Sequence, residues 1–252
     1  MNSHFGLMLV TVYFLISPIP ILSGNKSFFV IWNVGQGQWL THVEPAHCVH
    51  FDMGGERAPW RQIETLCKAR QNRIVLSHLD WDHIRFLRRA PHHFAQLCLW
   101  VVPDLSGLHQ RIIWLRTLPR CSLSTSPSEA KPVDINRAHR AQTNNDRSQV
   151  FLWNQQVLLP GDSSQKQESR WRQTLPRPQP TLRALILGHH GSRNSTGPLL
   201  LQKIPQGTLA VASARKQKYG HPHQETLQRL ARKKMPTLIT EKWGHIRLDY
   251  QN

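Results

Sequence analysis

The sequence predicts a layered α/β fold whose functional residues lie at the ends of strands. Short apolar runs with strand character alternate with segments of helical character along residues 25–252. Several of these runs end directly in residues of the kinds that bind metals or catalyse reactions. Because a rigid sheet presents its loops at one edge, we expect one site built from several strand ends.

The elements follow one another closely after residue 25. Three strands are predicted first, FFVIWN at 28–33, WLTHV at 39–43 and HCVHFD at 47–52, and the turns VGQGQ and EPA join them as hairpins. A helix is predicted over 59–70, because a proline stands near its first turn. RIVLS at 73–77 is a buried strand that ends at His78. The later runs LCLWVVPD, QVLLPGD, LRALILGHHGS and TLAVASA repeat the pattern of an apolar strand followed by polar residues.

The first 24 residues differ in composition from the rest of the chain. The run FGLMLVTVYFLISPIPIL, residues 5–22, has a length between that of a signal-peptide core and that of a short transmembrane helix. No Lys or Arg precedes the run, unlike a conventional signal peptide, and its prolines would stop a helix near Ser17. We expect an apolar leader over 1–24 that exports or anchors a single domain at 25–252; an inner strand or a misassigned start is the alternative.

The charge balance indicates a polyanionic partner. The chain has 32 Lys and Arg against 15 Asp and Glu, a formal net charge of +17. A field of this sign favours nucleic acid or an anionic membrane surface, while a merely basic soluble protein is the alternative. The apolar content of 39% is enough for a core, which argues against wholesale disorder.

The four cysteines show no metal-binding spacing. Cys48, Cys67, Cys98 and Cys121 form no CxxC pair and no zinc-finger arrangement. We interpret them as ordinary buried residues, and their spacing leaves a disulfide open.

Three strand ends carry residues that bind metals. The turn LSHLDWDHIRF follows the strand RIVLS, Asp162 follows QVLLP, and a histidine pair follows LRALILG. A lone Asp in a PGD turn, or a lone histidine pair, is more often structural. Together with an HxDxDH turn, they predict a metal site, since oxygen and nitrogen ligands must converge from several parts of the chain.

Six motifs resemble one family. They are NVGQGQ at 33–38, FDMGG at 51–55, SHLDWDH at 77–83, LLPGD at 158–162, GHHGS at 188–192 and YGHPHQETLQRL at 219–230. In order and spacing the chain resembles the metallo-β-lactamase superfamily and, within it, the C-terminal domain of the ComEC competence proteins. This resemblance implies a four-layer αβ/βα sandwich with a two-metal site at the edge of its two sheets.

The resemblance also implies the metal ligands. His78 and Asp80 would hold one ion, Asp82 and His83 the other, with Asp162 bridging both, His189 completing the second site and His190 able to exchange roles with His189. The superfamily more often has a histidine where this chain has Asp80. A carboxylate is a harder ligand than imidazole, so Mn²⁺ becomes as suitable as Zn²⁺.

The expected activity is hydrolysis of DNA, single-stranded in particular, during uptake. Two adjacent cations can lower the pKa of a bound water and neutralise a leaving oxygen, and a surplus of Lys and Arg can hold phosphates. We assign catalysis to Asp82, Asp162 and His221, and substrate binding to Arg85, Ser192, Arg215, Lys216, Lys218 and His221. A helix cap near Pro222 is the alternative role for His221. Trp81, inside the metal turn, could stack on an unpaired base.

Some positions depart from the family pattern. Gln38 replaces an acidic residue, Arg85 and Phe86 replace a glycine pair, and the third-motif histidine has no clear counterpart, although Asn144, Asn145 and Ser148 match an Asn and Ser pattern. Arg85 could either grip phosphate or obstruct it. An inactive DNA-guiding module and a metallo-hydrolase for a small ester therefore remain alternatives. A separate membrane channel subunit is an expected partner, because ComEC proteins carry such a channel.

Overall fold

Two six-stranded β-sheets form the centre of the fold. The computed structural model describes residues 27–103, 105, 110–122, 133–134, 143–175 and 181–249, so the predicted leader at 1–24 lies outside the described residues. The first sheet contains β1 (Phe28–Ile31), β2 (Leu40–Val43), β3 (His47–Phe51), β4 (Gln71–Val75), β5 (Leu97–Val101) and β12 (Ile246–Asp249), in the order β12-β1-β2-β3-β4-β5. The second contains β6 (Val133–Asp134), β7 (Phe151–Trp153), β8 (Val157–Leu159), β9 (Ala184–Ile186), β10 (Leu209–Ala212) and β11 (Thr237–Ile239), in the order β11-β10-β9-β8-β7-β6.

Short helices surround the sheets. The α-helices are α1 (Trp60–Cys67), α2 (Trp81–Ile84), α3 (Ala90–His93), α4 (Gln165–Trp171), α5 (Pro198–Leu201), α6 (Lys216–Tyr219), α7 (Gln224–Arg232) and α8 (Thr240–Trp243). Single 3₁₀ segments lie at Leu87–Arg89, Gln110–Thr117, Asn145–Arg147 and Gly188–Gly191. Among the helices in the described part of the chain, none combines the length and the apolar character needed to traverse a bilayer.

Each sheet packs against the other sheet on one face and against helices on the opposite face, so the fold has four layers. In β1, Phe29 and Ile31 pack in a core shared with Phe151 and Trp153 of the second sheet, whereas Val30 packs on the opposite face. This alternation is the period of two that a strand imposes on its side chains. Helices α1 to α3 cover the outer face of the first sheet, and α4, α5 and α7 cover that of the second. The predicted four-layer αβ/βα sandwich is therefore confirmed.

Strand direction determines where the site can form. β3, β4 and β5 run parallel in the first sheet, and β8, β9, β10 and β11 run parallel in the second. Parallel neighbours end at the same edge of a sheet. The segments that follow β3, β4, β8, β9 and β10 consequently meet at one edge of the sandwich.

The predicted N-terminal elements are confirmed, but four later strands, β6, β7, β11 and β12, were not predicted. The four strands predicted over 28–77 are β1 to β4, with both hairpins in antiparallel pairing, and the helix predicted over 59–70 is α1. Strand β12 pairs antiparallel with β1, with Phe28 opposite Asp249. Its sequence IRLD hides it, because its two polar positions are charged. Arg247 pairs with Asp249 at 2.7 Å, and its guanidinium lies 3.8 Å from the ring centre of Phe28.

Two disulfides join neighbouring layers and segments. Cys48 of β3 is bonded to Cys67 of α1, and Cys98 of β5 is bonded to Cys121, which follows the 110–117 helix. The fold brings the Cα atoms of the two pairs to 5.8 and 4.9 Å, which are distances that a disulfide can span. The spacing of the cysteines along the chain does not reveal this proximity. All four cysteines that we interpreted as ordinary buried residues are thus crosslinked.

Candidate metal centre

Strand ends from both sheets deliver the candidate ligands to one edge of the sandwich. In the first sheet, β3 is followed by Asp52 and β4 by the residues 77–83, of which 78–83 form the metal turn. In the second sheet, β8 is followed by Asp162 and β9 by the histidine pair 189–190. The centre is therefore shared between the two halves of the fold.

Two glycines allow the chain to pack against the backbone of the metal turn. The N–H of Gln38 donates to the carbonyl of Asp82 at 2.9 Å. A Cβ on Gly54 would lie 2.1 Å from that carbonyl carbon, and a Cβ on Gly37, whose φ is +133°, would lie 2.6 Å from its oxygen. Neither approach is possible for a residue with a side chain. Gly37 and Gly54 thus allow the segments NVGQGQ and FDMGG to contact the backbone of the metal turn and hold it in place.

Four side chains form the tightest group of potential ligands. One ligand atom from each of Asp82, His83, Asp162 and His190 lies within 4.8 Å of the others. His190 Nε2 is 3.1 Å from Asp82 Oδ2, and His83 Nε2 is 3.2 Å from Asp162 Oδ1. Two carboxylates and two imidazoles at this spacing are a suitable donor set for a divalent transition metal.

A second group adjoins the first through Asp162. His78 Nε2 lies 3.6 Å from Asp80 Oδ2 and 3.8 Å from Asp162 Oδ2. The Nε2 of His189, a partly exposed residue, is 3.7 Å from the same Asp162 oxygen. The structure therefore brings together all seven ligands named from sequence. It places His190, and not His189, beside Asp82, which is the exchanged form of the expected arrangement.

The left-handed backbone of the histidine pair explains that order. His189 has φ 48° and His190 has φ 56°, inside the 3₁₀ segment 188–191. Non-glycine residues reach this region at a cost of about 1–3 kcal/mol and do so mainly where function requires it. The two consecutive positive φ angles allow both imidazoles to approach Asp162 from different sides.

Asp52 is the main support of His83. Its Oδ2 accepts hydrogen bonds from His83 Nδ1 at 2.8 Å, Gln38 Nε2 at 2.8 Å and Ser77 Oγ at 2.7 Å. Its Oδ1 accepts the Ser77 N–H at 2.8 Å. Since Nδ1 of His83 donates its proton to Asp52, the lone pair of Nε2 is left for a metal ion.

The other two buried histidines are oriented in the same way. The Ser77 hydroxyl donates to Asp52 and therefore accepts from Nδ1 of His78, at 3.0 Å. Nδ1 of His190 donates to the carbonyl of Ser213, the residue after β10, at 3.0 Å. Each imidazole consequently turns its Nε2 atom toward the carboxylates.

Buried nitrogen and oxygen atoms without hydrogen-bond partners indicate that these residues fit a cation. Within the described residues, the buried atoms His78 Nε2, His83 Nε2 and Asp162 Oδ1 have no hydrogen-bond partner. An unsatisfied buried polar group costs about 1–3 kcal/mol, so such atoms rarely converge without a reason. A divalent cation between them would satisfy all three.

The electrostatics of the group also favour positive charge. Burial raises the pKa of Asp162, but the charges of His83 and His190 lower it further, and the pKa lies well below its usual value. Burial lowers the pKa of His83, but the carboxylates of Asp162 and Asp52 raise it well above the ordinary value. A proton is therefore held in the metal-free centre, and a metal ion would have to displace it.

The region of the missing third-motif histidine contributes amides and a hydroxyl. Asn144 donates to Asp80 Oδ1 at 3.0 Å, and the Asn145 amide nitrogen lies 3.5 Å from the ring nitrogens of His189. Ser148 Oγ accepts the N–H of Asp162 at 3.0 Å. All three residues that match the Asn and Ser pattern thus lie at the centre, where they position ligands.

Glu56 holds two of the expected phosphate-binding side chains. Arg215 pairs with its carboxylate at 3.1 Å and Lys218 at 2.9 Å, and Tyr219 donates its hydroxyl at 3.3 Å. Burial raises the pKa of Glu56, but Lys218, the Gln36 N–H and Arg215 lower it to about 2. Nothing in the local sequence indicates this pairing.

His221 faces the histidine pair and is oriented by Gln36. Its ring centre is 5.8 Å from that of His189, and Gln36 Nε2 is 3.1 Å from its Nδ1. The Arg215 N–H donates to Gln36 Oε1 at 3.2 Å, which fixes the amide so that its nitrogen faces His221. His221 must then accept at Nδ1 and carry its proton on Nε2. The helix cap near Pro222 is provided by His223, whose Nδ1 accepts the Glu225 N–H.

Of the three remaining residues that we expected to bind substrate, Arg85 lies at the metal turn, whereas the side chains of Ser192 and Lys216 do not contact the ligands. Arg85 lies over the ring of Trp81, 4.3 Å from its centre, and donates to the carbonyls of Gly55 and Glu56. The Ser192 hydroxyl accepts the N–H of Asn194 within its own loop. Lys216 is exposed on α6. The structure brings Arg85 to the metal turn, but it does not bring the side chains of Ser192 and Lys216 into contact with the ligands.

Sequence reasoning missed the residues that orient the ligands. Asp52, Ser77, Gln36 and Ser213 received no role. Three of them stand inside quoted motifs or directly before a ligand, which was the available signal. Ser213 had only its position after the apolar run TLAVA.

Two solved structures share this fold. A diphosphatase of the PhnP family has a TM-score of 0.55 and 11% identity, covering 90% of this chain and 98% of its own. The metallo-β-lactamase fold protein YhfI from Bacillus subtilis has a TM-score of 0.52 and 10% identity, covering 89% and 100%. The chain is a metallo-β-lactamase-fold protein with a candidate metal centre at the edge of its sheets.

Within that class, the chain resembles ComEC-type competence proteins. ComE operon protein 3 of Bacillus subtilis is 32% identical over 279 residues, which cover 96% of this chain and 35% of the relative. Recombination protein 2 of Haemophilus influenzae is 32% identical over 94 residues, 37% of this chain and 11% of the relative. The chain thus spans about a third of the length of ComE operon protein 3. No family model matches the chain. Fold, ligand cluster and relative together support a metal-dependent hydrolase.

Proposed function

We propose that the protein is a divalent-metal-dependent nuclease that hydrolyses phosphodiester bonds of DNA, single-stranded in particular, during DNA uptake. The main support is the buried carboxylate of Asp162, which lies between two ligand groups. Within the described residues, its Oδ1 and the Nε2 atoms of His78 and His83 lack hydrogen-bond partners. A shared carboxylate of this kind suits a pair of ions, either Zn²⁺ or Mn²⁺.

The ligand assignment follows from the distances. Asp82, His83, Asp162 and His190 would hold one ion, and His78, Asp80 and Asp162 the other. His189 is partly exposed at the edge of the two ligand groups, within reach of Asp162 and facing His221. When bound, two such ions supply Lewis acidity to a water molecule and to phosphoryl oxygens.

The residues around the ligands supply positioning and proton control. Asp52 and Ser77 keep the Nε2 lone pairs of His83 and His78 directed at the centre. His221, with its proton on Nε2, is suited to donate a hydrogen bond to a phosphate or leaving oxygen. We assign catalysis to Asp82, Asp162 and His221 on this basis.

DNA is proposed as the substrate because of charge. The chain carries a formal net charge of +17. Arg85 lies in the metal turn region, and Arg215 and Lys218 pair with Glu56, whose carbonyl also accepts from Arg85. Phosphate contacts release counterions, so binding should weaken steeply as salt rises. A small neutral ester would gain nothing from this field.

We also propose that the domain works outside the reducing cytosol, exported or anchored by the apolar leader, with a membrane channel subunit as partner. The disulfides Cys48–Cys67 and Cys98–Cys121 support an oxidising compartment. Alkylation of free thiols in protein isolated from its host tests this compartment. Labelled cysteines in the native protein would contradict it.

The test of the nuclease is cleavage of labelled single-stranded and duplex DNA with Mn²⁺, Zn²⁺ or a chelator. Asp162→Asn serves as the site variant and Asp249→Asn, an exposed carboxylate on edge strand β12, as the matched control. Metal-dependent cleavage that Asp162→Asn loses and Asp249→Asn keeps would support the proposal. Salt-sensitive binding without cleavage under any metal would favour an inactive DNA guide, and neither binding nor cleavage would favour a hydrolase of a small ester.

A further inference from the structure

Two exposed aromatic side chains lie in segments that adjoin the candidate centre in sequence. Trp81 is 53% exposed and lies between the ligands Asp80 and Asp82 in sequence. Tyr219 is 43% exposed and precedes His221 by two residues. Consecutive Cα atoms are about 3.8 Å apart, so the Trp81 backbone is immediately beside both carboxylate ligands. Single exposed aromatics are ordinary on protein surfaces, and it is their position that sets these two apart.

Each aromatic ring has a cation against it. The Arg85 guanidinium carbon lies 4.3 Å from the ring centre of Trp81, and Lys218 Nζ lies 5.0 Å from that of Tyr219. Such cation–π pairs restrict the ring and place a positive charge next to it. Aromatic faces interleaved with cations are the pattern by which proteins bind unpaired nucleic acid.

Glu56 connects the two pairs into one structure. Its carboxylate accepts from Lys218 at 2.9 Å and from the Tyr219 hydroxyl at 3.3 Å, and its carbonyl accepts from Arg85 at 3.2 Å. We call the five residues Trp81, Arg85, Glu56, Lys218 and Tyr219 the aromatic rim. Because one residue bonds both ends, the rings keep a fixed relation to each other and to the metal turn. The rim is therefore pre-organised, which lowers the entropy cost of binding.

We propose that the aromatic rim is a base-stacking site for single-stranded DNA, with Trp81 and Tyr219 receiving unpaired bases on either side of the phosphate at the metal centre. This proposal rests on the proposed nuclease function and deepens it. Every base has a π-face, so the site needs no particular sequence. In a duplex these faces are stacked on neighbouring bases, so the rim would select single strands over duplex.

The rim also explains why Arg85 replaces one of the family's glycines. The guanidinium lies on Trp81 and donates to two carbonyls, so it packs beside the turn in a defined place. It thereby supports the ring that a glycine would leave unsupported. Arg85 acts as a positioning residue for Trp81.

The test measures binding of a labelled 15-nucleotide single strand and of its duplex to the full chain, in chelator so that no cleavage occurs. Trp81→Leu and Tyr219→Leu remove the π-face but keep an apolar side chain, whereas Trp81→Phe and Tyr219→Phe keep the ring. The outer-layer side chain Ile113, 49% exposed, provides the matched control Ile113→Ala.

We expect each Leu variant to weaken single-strand binding by roughly 5- to 150-fold, since stacking on one aromatic contributes about 1–3 kcal/mol per base. The Phe variants should recover most of the affinity, and duplex binding should change less than twofold throughout. Mn²⁺ titration of Trp81→Leu checks that the metal turn is intact. Tyr219→Leu tests the rim without touching that turn.

Two results would overturn the rim. One is wild-type single-strand binding that neither Leu variant weakens, and the other is an equal loss for single strand and duplex. The nuclease proposal fails separately: single-strand binding that depends on the rings, in a protein that cleaves nothing with any metal, would leave the rim standing. Cleavage by the wild type with unchanged binding in both Leu variants would leave only the nuclease.

Discussion

Replacing Asp52 by Asn isolates the support of the metal centre from its ligands. Asp52 has φ 56°, and Asn tolerates this left-handed region as well as Asp does, so the backbone should not change. The substitution keeps the size of the side chain and removes one charge and one acceptor. His83 keeps its position but loses the carboxylate that accepts its Nδ1 proton.

The size of the effect follows from the four hydrogen bonds that Asp52 accepts. Oδ2 receives three donors and Oδ1 receives the Ser77 N–H. The Asn amide will therefore place its oxygen toward the three donors, and its nitrogen will face the Ser77 N–H. The Ser77 N–H and the amide N–H that faces it are both left unsatisfied, at a cost of about 1–3 kcal/mol each in unfolding free energy. Weakened support of a ligating histidine should lower metal affinity by about 10- to 100-fold.

The assay is chelator-competition titration with Zn²⁺ and Mn²⁺, together with urea unfolding of the metal-free protein. Gln38→Leu removes one donor from the same oxygen and leaves the carboxylate, so its loss of metal affinity should be smaller. Asp249→Asn controls for removal of a surface carboxylate, with an expected change within about 0.5 kcal/mol. A metal affinity of Asp52→Asn within twofold of wild type would refute the assigned role of Asp52.

Four further predictions concern other parts of the molecule. His190→Ala should abolish tight metal binding and His189→Ala should weaken it less, as titration would show; the reverse order would contradict the ligand assignment. Gln36→Leu should slow cleavage but change nothing further in a His221→Ala background, so additive losses would disprove the Gln36–His221 link. Burial raises the pKa of Glu168 to about 7 despite the N–H donors of Gly197 and Thr196, so the folded state binds this proton more tightly. Stability should therefore fall by about 3 kcal/mol as pH rises from 4.5 to 7, and urea unfolding of Glu168→Gln should lack that component. Reduction of the disulfides, which close loops of 19 and 23 residues, should lower unfolding free energy by about 3 kcal/mol each, whereas an unchanged melting curve in reductant would show that they are not formed.

Short apolar runs were enough to predict the first four strands, and a proline near its first turn indicated the helix between the third and the fourth. Strand β12 was missed, since the charged Arg247 and Asp249 alternate with its two apolar residues, Ile246 and Leu248. Its place beside β1 depends on pairing across more than 200 residues. The disulfides were left open for the same reason, because chain spacing does not determine distance in space.

The ligands could be named from sequence because the motifs keep them beside recognisable glycines and strand ends. Their support could not, as Asp52 reaches His83 from 31 residues away and nothing local indicates the contact. The order of the histidine pair depends on two positive φ angles that no propensity predicts. The pairing of Arg215 and Lys218 with Glu56 depends on a distance of about 160 residues in the chain.

Each half of the sandwich owns only part of the metal centre. The turn 78–83 follows a strand of the first sheet, and Asp162 and the histidine pair follow strands of the second. An ion bound by residues of both sheets would therefore crosslink them. Aromatic side chains pack between the sheets, such as Phe51 against Trp153 with ring centres 5.3 Å apart. This packing determines the distance between the sheets and therefore the distances between ligands that come from different sheets. Truncating one of these aromatic side chains would change the distances between the ligands before it unfolds the protein. Such a core variant would therefore lose metal affinity while it is still folded.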